Sequence, residues 1–375
     1  LRSWQNMRHM ADGVAAILGS GVYTQGPQLE RLEAVASSRL DGYAVAGVSS
    51  GTSGLIVALQ AVGVHPGDRV GVPSLAFHAV GLAVLAIGAE PVFVDVDPGS
   101  LCMDPTRVPA CGLTAVIVVD HDGVPADVAA IRRAAGCPVI EDACPAWGSV
   151  DPAGVSCGLR GNVGVFSLNQ TKIIGAGEGG LVVSRDESLI AKVRMLANFG
   201  ETWVGEKAPK VRVAVLEGGN HKLGELPAYI AAEMITSADP LVESAIKAGR
   251  RLETGLVSAD VSIPGLAGAQ ICRHKLRLLA QSSTAAGRLR SALQLLDVPV
   301  SGDVAPLPTH PVFSGRRDEA FEGEGRTDCR GRSEFREAQR AFERSVIIGD
   351  RRRPPWCVGD ELDDWIRDIR QARRS

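Results

Sequence analysis

The sequence predicts an α/β fold, with a mostly parallel, seven-stranded sheet between helices followed by a smaller C-terminal α+β domain. Three observations carry this. From residue 43 to about 184, seven short apolar runs alternate with Gly-bounded segments of helical periodicity, the pattern of strands covered on both faces by crossover helices. After about residue 240 the character changes to Arg-rich helical patterns with few strand signals. At 375 residues the chain exceeds what one hydrophobic core normally supports, so it divides into 1–239, with an N-terminal helical arm, and 240–375.

The strands are expected at 43–48, 69–72, 91–96, 115–119, 138–140, 163–166 and 181–183. Between the first two, residues 53–63 carry Leu55, Ile56, Leu59 and Val62 at helical spacing, and the Pro66-Gly67-Asp68 turn stops that helix before the next strand. Beyond 240, helical patterns run over 244–257 and 274–296. Residues 314–326 are charged and Gly-rich without apolar periodicity, which predicts a surface loop, with a functional lid as the alternative. Over 361–372, Leu362, Trp365, Ile366 and Ile369 share one helical face, as in a closing helix docked on the second domain. No internal repeat is present.

Composition narrows the function classes. A formal net charge of −3 leaves no basic footprint for nucleic acid or an anionic membrane, and the Arg351-Arg352-Arg353 run is offset by Asp350, Asp360 and Glu361. The longest apolar stretches, such as 83–87 and 114–119, fall far short of the roughly 20 residues that cross a bilayer. The N-terminal residues do not read as a signal peptide, so a cytoplasmic location is expected. The eight cysteines form no close pair and no zinc-type spacing with histidine, so reduced thiols and no metal are expected.

Four local features carry chemistry. Ser49-Ser50-Gly51-Thr52-Ser53 follows the first strand and opens a helix, where backbone amides, hydroxyls and an unhindered glycine make an anion site; an ordinary N-cap is the alternative. Val139-Ile140-Glu141-Asp142-Ala143 ends a strand in two carboxylates at the sheet edge where open α/β folds bind ligands. One of the two should face the crevice, where it can keep a ring nitrogen protonated; a capping or surface acid pair is the alternative. Lys172 lies between two strands beside the cluster Gly175-Ala176-Gly177-Glu178-Gly179-Gly180, and desolvation in a cleft there would free its amine for imine chemistry. Most lysines stay in solvent, but repeated glycines imply tight backbone or a close ligand. Phe77, in Pro73-Ser74-Leu75-Ala76-Phe77-His78 beyond the second strand, can stack on a heteroaromatic ring or simply pack in the core.

Taken together with Gln25-Gly26-Pro27-Gln28-Leu29-Glu30, Phe93-Val94-Asp95-Val96-Asp97, Gly123-Val124-Pro125-Ala126-Asp127 and Phe166-Ser167, these segments resemble, in order and spacing, the DegT/DnrJ/StrS-type sugar aminotransferases. The resemblance runs from about Thr24 to Ile235. It implies a fold type I enzyme dependent on pyridoxal 5'-phosphate. On that likeness Lys172 would hold the cofactor as a Schiff base and shuttle the proton, with Asp142 on the ring nitrogen and Phe77 on the ring face. Gly51, Thr52 and Ser167 would hold the phosphate, with Ser50 also among the cofactor-binding residues. Asn220, in a segment similar to a family stretch that reaches the neighbouring subunit, would complete the partner's site in a homodimer. The implied reaction moves an amino group from Glu or Gln to a keto group on a sugar, cyclitol or similar small molecule in biosynthesis.

The chain departs from the family pattern at several positions. Pro145 stands where a Gln is usual, Asp120-His121-Asp122-Gly123 replaces His-Leu-Tyr-Gly, Asn169 replaces a His, and His221-Lys222 replaces Tyr and Arg. These departures keep two alternatives open: another reaction of the same cofactor (elimination, decarboxylation or carbon–carbon bond formation), or a relative that binds it without turnover. Relatives that act as dehydratases carry His at the lysine position, which Lys172 argues against.

Overall fold

The computed structural model describes residues 4–204, 210–256, 260–314, 334–348 and 362–372. Two helices open the chain, α1 (Trp4–Ser20) and α2 (Pro27–Arg39). Pro27 suits the first turn of α2 because its missing N–H would have had no helical partner there. The cap for this helix comes from far along the chain: the buried Glu225 carboxylate accepts from Gly26 N at 3.0 Å, Gln28 N at 2.7 Å and Leu29 N at 3.1 Å. A carboxylate at that position satisfies orphan amides and complements the helix dipole.

The main sheet is built from β1 (Ala44–Val48), β2 (Arg69–Pro73), β3 (Glu90–Val94), β4 (Ala115–Val119), β5 (Val139–Asp142), β6 (Val163–Ser167) and β7 (Gly180–Ser184), in the order β1-β7-β6-β5-β4-β2-β3. These are the seven strands expected from the apolar runs, with ends moved by one or two residues. β7 is antiparallel to both its neighbours and the other pairings are parallel. Helices α3 (Gly51–Ala61), α4 (Ala79–Ala86), α5 (Val128–Ala135) and α6 (Glu187–Ala197) follow β1, β2, β4 and β7, whereas β5, β6 and β7 succeed one another without the helices expected between them. Residues of α3, α4 and α6 bury Val165, Val182 and Ile140 on one face. On the other face, α2 and α7 (Glu225–Thr236) bury Phe166, Leu181 and Val183. The period-two switch from Val165 to Phe166 sends neighbouring side chains into different cores, each apolar side chain contributing roughly 1.5–3 kcal/mol.

Between α6 and α7 an antiparallel hairpin, β8 (Glu201–Val204) with β9 (Val211–Ala214), carries exposed Trp203 and Val211. Beyond α7 come α8 (Asp239–Leu256) and a second, antiparallel sheet. Its strands are β10 (Val261–Ser262), β11 (Leu276–Ala280), β12 (Val300–Ser301) and β13 (Ser345–Ile348), in the order β10-β11-β13-β12. Helices α9 (Ser283–Leu295), α10 (Pro311–Ser314), α11 (Arg336–Arg344) and α12 (Leu362–Ala372) complete this part, and Ile366 and Ile369 of α12 are buried with Leu252 and Leu256 of α8.

Two expectations for this half are corrected. The pattern over 274–296 is not one helix: its first residues form β11, a strand buried along its whole length, and the helix starts only at Ser283, where Ser282 caps it by accepting from Ala285 N at 3.1 Å. A short apolar run buried on both sides carries no period that separates strand from helix. The few strand signals conceal a four-stranded sheet, because β10 and β12 are two residues each and too short to show alternation. The helix expected from 244 begins at Asp239. Ser314 ends α10, while the rest of the 314–326 loop and the Arg351–Arg353 run lie outside the described residues. No helix among the described residues is long and apolar enough to cross a membrane.

Candidate active site

The C-terminal ends of β4, β5 and β6 and the N-terminus of α3 open into one cavity of about 930 Å³, closed on the other side by residues of β11, β12 and the turn after β12. The location is the crevice outside the carboxyl ends of parallel strands, where the loops are free to carry side chains and the helix N-terminus is aimed at a ligand.

Lys172 sits in the connection between antiparallel β6 and β7. That connection is pinned by its own backbone: Leu168 N donates to Gly179 O at 2.9 Å, Gln170 N to Gly177 O at 2.9 Å and Lys172 N to Asn169 O at 2.9 Å. A Cβ on Gly175 would stand 2.9 Å from Gln170 O, so the glycine is what lets the two limbs close. Lys172 is half-buried as a residue, and enclosure of its ammonium lowers the pKa, only partly opposed by Cys144 and Asp142 nearby. A larger fraction of its amine is therefore neutral near pH 7 than for a solvated lysine.

The two carboxylates at the end of β5 face opposite ways. Asp142 is buried and lines the cavity, its Oδ1 accepting from Cys144 N at 3.0 Å; burial raises its pKa, with Cys144 and Lys172 working against the rise. Glu141 points to the far face and accepts from Gly158 N at 2.6 Å, Arg160 N at 2.8 Å, Gly161 N at 3.0 Å and the Arg160 guanidinium. Arg160 also binds Asp120 and approaches Cys157 Sγ. Asp120, Glu141 and Cys157 lie close enough to ligate a metal, but the Arg160 cation already stands among them.

Ser50 caps α3, its Oγ accepting from Ser53 N at 3.0 Å. The amides of Gly51 and Thr52 have no partner within the helix, and Ser50, Gly51, Thr52 and Ser167 all line the cavity. A Cβ on Gly51 would meet Cys144 Sγ at 2.7 Å and Ser167 Cβ at 3.2 Å, so only glycine leaves this cradle open. Phe77 lines the cavity too and is 59% exposed, its ring unburied by the protein itself. Asn220 is not brought into this cavity: it is exposed, in a segment tied to β1 through Ser49 N donating to His221 O at 2.8 Å.

The structure adds residues to which the sequence pattern gave no role in the site. Cys144 lies between Asp142 and the Gly51 cradle. His121, Asp122, His274, Lys275, Arg277 and Asp303 form the opposite wall. Arg277 Nε donates to Asp122 Oδ2 at 2.7 Å, its Nη1 binds Asp303 and donates to Ser345 Oγ at 2.8 Å, and its Nη2 donates to Asp303 Oδ1 at 3.2 Å. Burial alone would raise the pKa of Asp122, but Arg277 beside it holds its carboxyl far below the usual range. His274 is buried and its pKa is lowered, first by burial and then by Lys172. The signal for this wall was present only as the unusual Asp120-His121-Asp122; its partners are in β11, which reads as helix, and in the turn after β12.

A family model described as the DegT/DnrJ/EryC1/StrS aminotransferase family matches residues 6–313. The chain is 38% identical over 261 residues to an L-glutamine:2-deoxy-scyllo-inosose aminotransferase of Streptomyces fradiae, a match covering 64% of this chain and 61% of that protein. It is 35% identical over 232 residues to a protein of the same name from Streptomyces lividus, covering 59% of this chain and 54% of that one. The chain thus matches less than two thirds of the length of either relative. Among solved structures, S. venezuelae DesV, in complex with a ketimine intermediate, superposes with a TM-score of 0.84 at 26% identity, covering 99% of this chain and 96% of that chain.

Proposed function

Since the chain belongs to the DegT/DnrJ/EryC1/StrS aminotransferase family, we propose that it is a pyridoxal phosphate-dependent enzyme that moves an amino group from L-glutamine or L-glutamate to a keto group on a cyclitol or sugar in a biosynthetic pathway. The observation that carries this is the convergence of Lys172, Asp142 and the open N-terminus of α3 on one cavity. The residues suit the cofactor: bare amides at Gly51 and Thr52 with the hydroxyls of Ser50, Thr52 and Ser167 suit a phosphate, the exposed Phe77 ring suits an aromatic face, and Asp142 suits a pyridine nitrogen. When bound, the cofactor supplies an electron sink for the charge that develops at the substrate carbon. Asp142 would hold a proton at the ring nitrogen. Lys172, with its lowered pKa, takes a proton at Nζ from the substrate carbon and returns it, and the enclosed cavity limits water at that atom.

The cyclitol preference is supported by the two Streptomyces relatives, and the wall of Asp122, Asp303, His121 and His274 offers acceptors for ring hydroxyls. The test is a half-reaction. L-glutamine should convert the visible absorption of the loaded protein to that of the amine form, and 2-deoxy-scyllo-inosose should restore it. A spectrum indifferent to every amino donor would overturn the reading, and release of product with no change in the amine content would favour elimination or decarboxylation instead.

The same reading divides the chain near residue 240, at 1–239 and 240–375, with the cavity where the two parts meet. It places the enzyme in the cytoplasm, a setting that suits its free thiols. It also makes the working unit a homodimer, in which Asn220 completes the partner's site. The exposed Phe199, Trp203, Val211 and Val215, clustered around β8 and β9, suit an apolar interface close to that segment. Mixing two inactive proteins, Lys172→Ala and Asn220→Ala, should restore part of the activity, because both lesions can fall in one site of a mixed dimer and leave the other whole. No recovery despite demonstrated subunit exchange, or a fully active monomer, would contradict the shared site.

A further inference from the structure

We propose that Lys275 is the anchor for the carboxylate of the amino-acid donor, and that Arg277, the other cation on the same wall, is not; this rests on the aminotransferase reading above. Three cationic side chains line the cavity among the described residues: Lys172, Lys275 and Arg277. Lys172 is committed to the chemistry. Arg277 is spent, since its Nε and both terminal nitrogens already donate to Asp122 and Asp303 and the trio carries a net negative charge. A third carboxylate could bind Arg277 only by displacing one of these buried partners and leaving that carboxylate unpaired, which is strongly unfavourable.

Lys275 is different on each count. It is half-buried, it enters the cavity from the residue before β11, and among the described residues it has no hydrogen-bond or ion-pair partner. Its charge is felt at Lys172, His121 and His274, which puts it in the part of the cavity where the lysine amine works. An amino-acid donor carries its α-carboxylate on the carbon that loses the proton to Lys172, so that carboxylate must lie within a few ångströms of Lys172 Nζ. The negative wall of Asp122 and Asp303 would repel a carboxylate anywhere nearby except where an uncommitted cation compensates it. Three polar atoms of residues lining this side of the cavity, His121 Nε2, His274 Nδ1 and Ser301 Oγ, are buried without a hydrogen-bond partner, so capacity for a polar ligand remains there.

The experiment uses the loaded enzyme and two readouts. Lys275→Met should raise KM for L-glutamine about 10- to 100-fold, the effect of losing one charge-assisted hydrogen bond, with a much smaller change in kcat and in KM for the keto acceptor. Calorimetric titration with glutarate, a non-reacting dicarboxylate, should weaken by a similar factor, and Lys275→Arg should retain most of both. If Lys275→Met leaves the L-glutamine KM and the glutarate affinity within twofold of the wild type, or if the loss falls equally on the keto acceptor, the anchor assignment is wrong. A wild type that transfers no amino group defeats the aminotransferase reading instead, and the glutarate titration still decides whether Lys275 binds a carboxylate.

Discussion

Lys172→Ala is expected to abolish amino transfer, lowering kcat by about 10,000-fold or more, because on the proposed mechanism one side chain supplies both the covalent attachment and the proton carrier. The fold should survive the change. The connection that carries Lys172 is held by backbone hydrogen bonds from Leu168, Gln170 and Lys172 itself and by Asn169 Nδ2 donating to Glu178 Oε1 at 2.7 Å, none of which involves the ammonium. Circular dichroism should therefore be unchanged while the protein-bound visible band disappears. Borohydride treatment of the wild type should fix the cofactor on the peptide containing Lys172. Labelling of another lysine, or a fully active alanine variant, would show that the amine facing the cavity is not the reacting one.

Replacing Asp142 by Asn should slow the proton-transfer step by about 100- to 10,000-fold with the protein still folded, since a neutral amide cannot hold a proton on the ring nitrogen. The neighbouring carboxylate serves as the control. Glu141→Gln removes half of a buried ion pair with Arg160 on the far face of the sheet, so its cost should appear as lost stability of about 3–5 kcal/mol, not as a slower chemical step. The pH dependence has a definite sign. Burial raises the pKa of Asp142 in the cofactor-free protein, so its carboxylate is lost there at a higher pH than for a solvated aspartate, and uptake of the cofactor should weaken on acidification through that raised value. Asp142→Asn should lose this pH dependence of uptake along with most of the rate. A Glu141→Gln protein that folds but does not turn over, beside a fully active Asp142→Asn protein, would exchange the two roles.

Much of the fold was legible because its signals are local. The strands of the main sheet are short apolar runs, most of them buried on both faces while β3 at the edge is only half-buried, and each run is dictated by the few residues within it. The turn at Pro66-Gly67-Asp68, the cap at Ser50 and the glycines around Lys172 are local as well, since each answers a backbone demand within a few residues. The misread segment, 274–296, failed for the complementary reason. A buried strand of five residues running into a helix offers no periodicity of its own, and only pairing with β13 and β10 decides its form.

What the sequence by itself determined is thus the type of sheet, the family likeness and the set of residues available for chemistry at its edge. The family likeness pointed to Asp142, but the residues of the strand left open which of two adjacent carboxylates faces the cavity; alternation forces Glu141 and Asp142 apart, and the packing of β5 chooses between them. Tertiary structure alone decided the state of the cations on the far wall. Asp122 and Arg277 are 155 residues apart in sequence, so neither carries a trace of the other until the fold brings them together, leaving Arg277 neutralised and Lys275 free of any hydrogen-bond or ion-pair partner among the described residues. Local preference is set by neighbours in sequence, whereas charge pairing and exposure are set by neighbours in space.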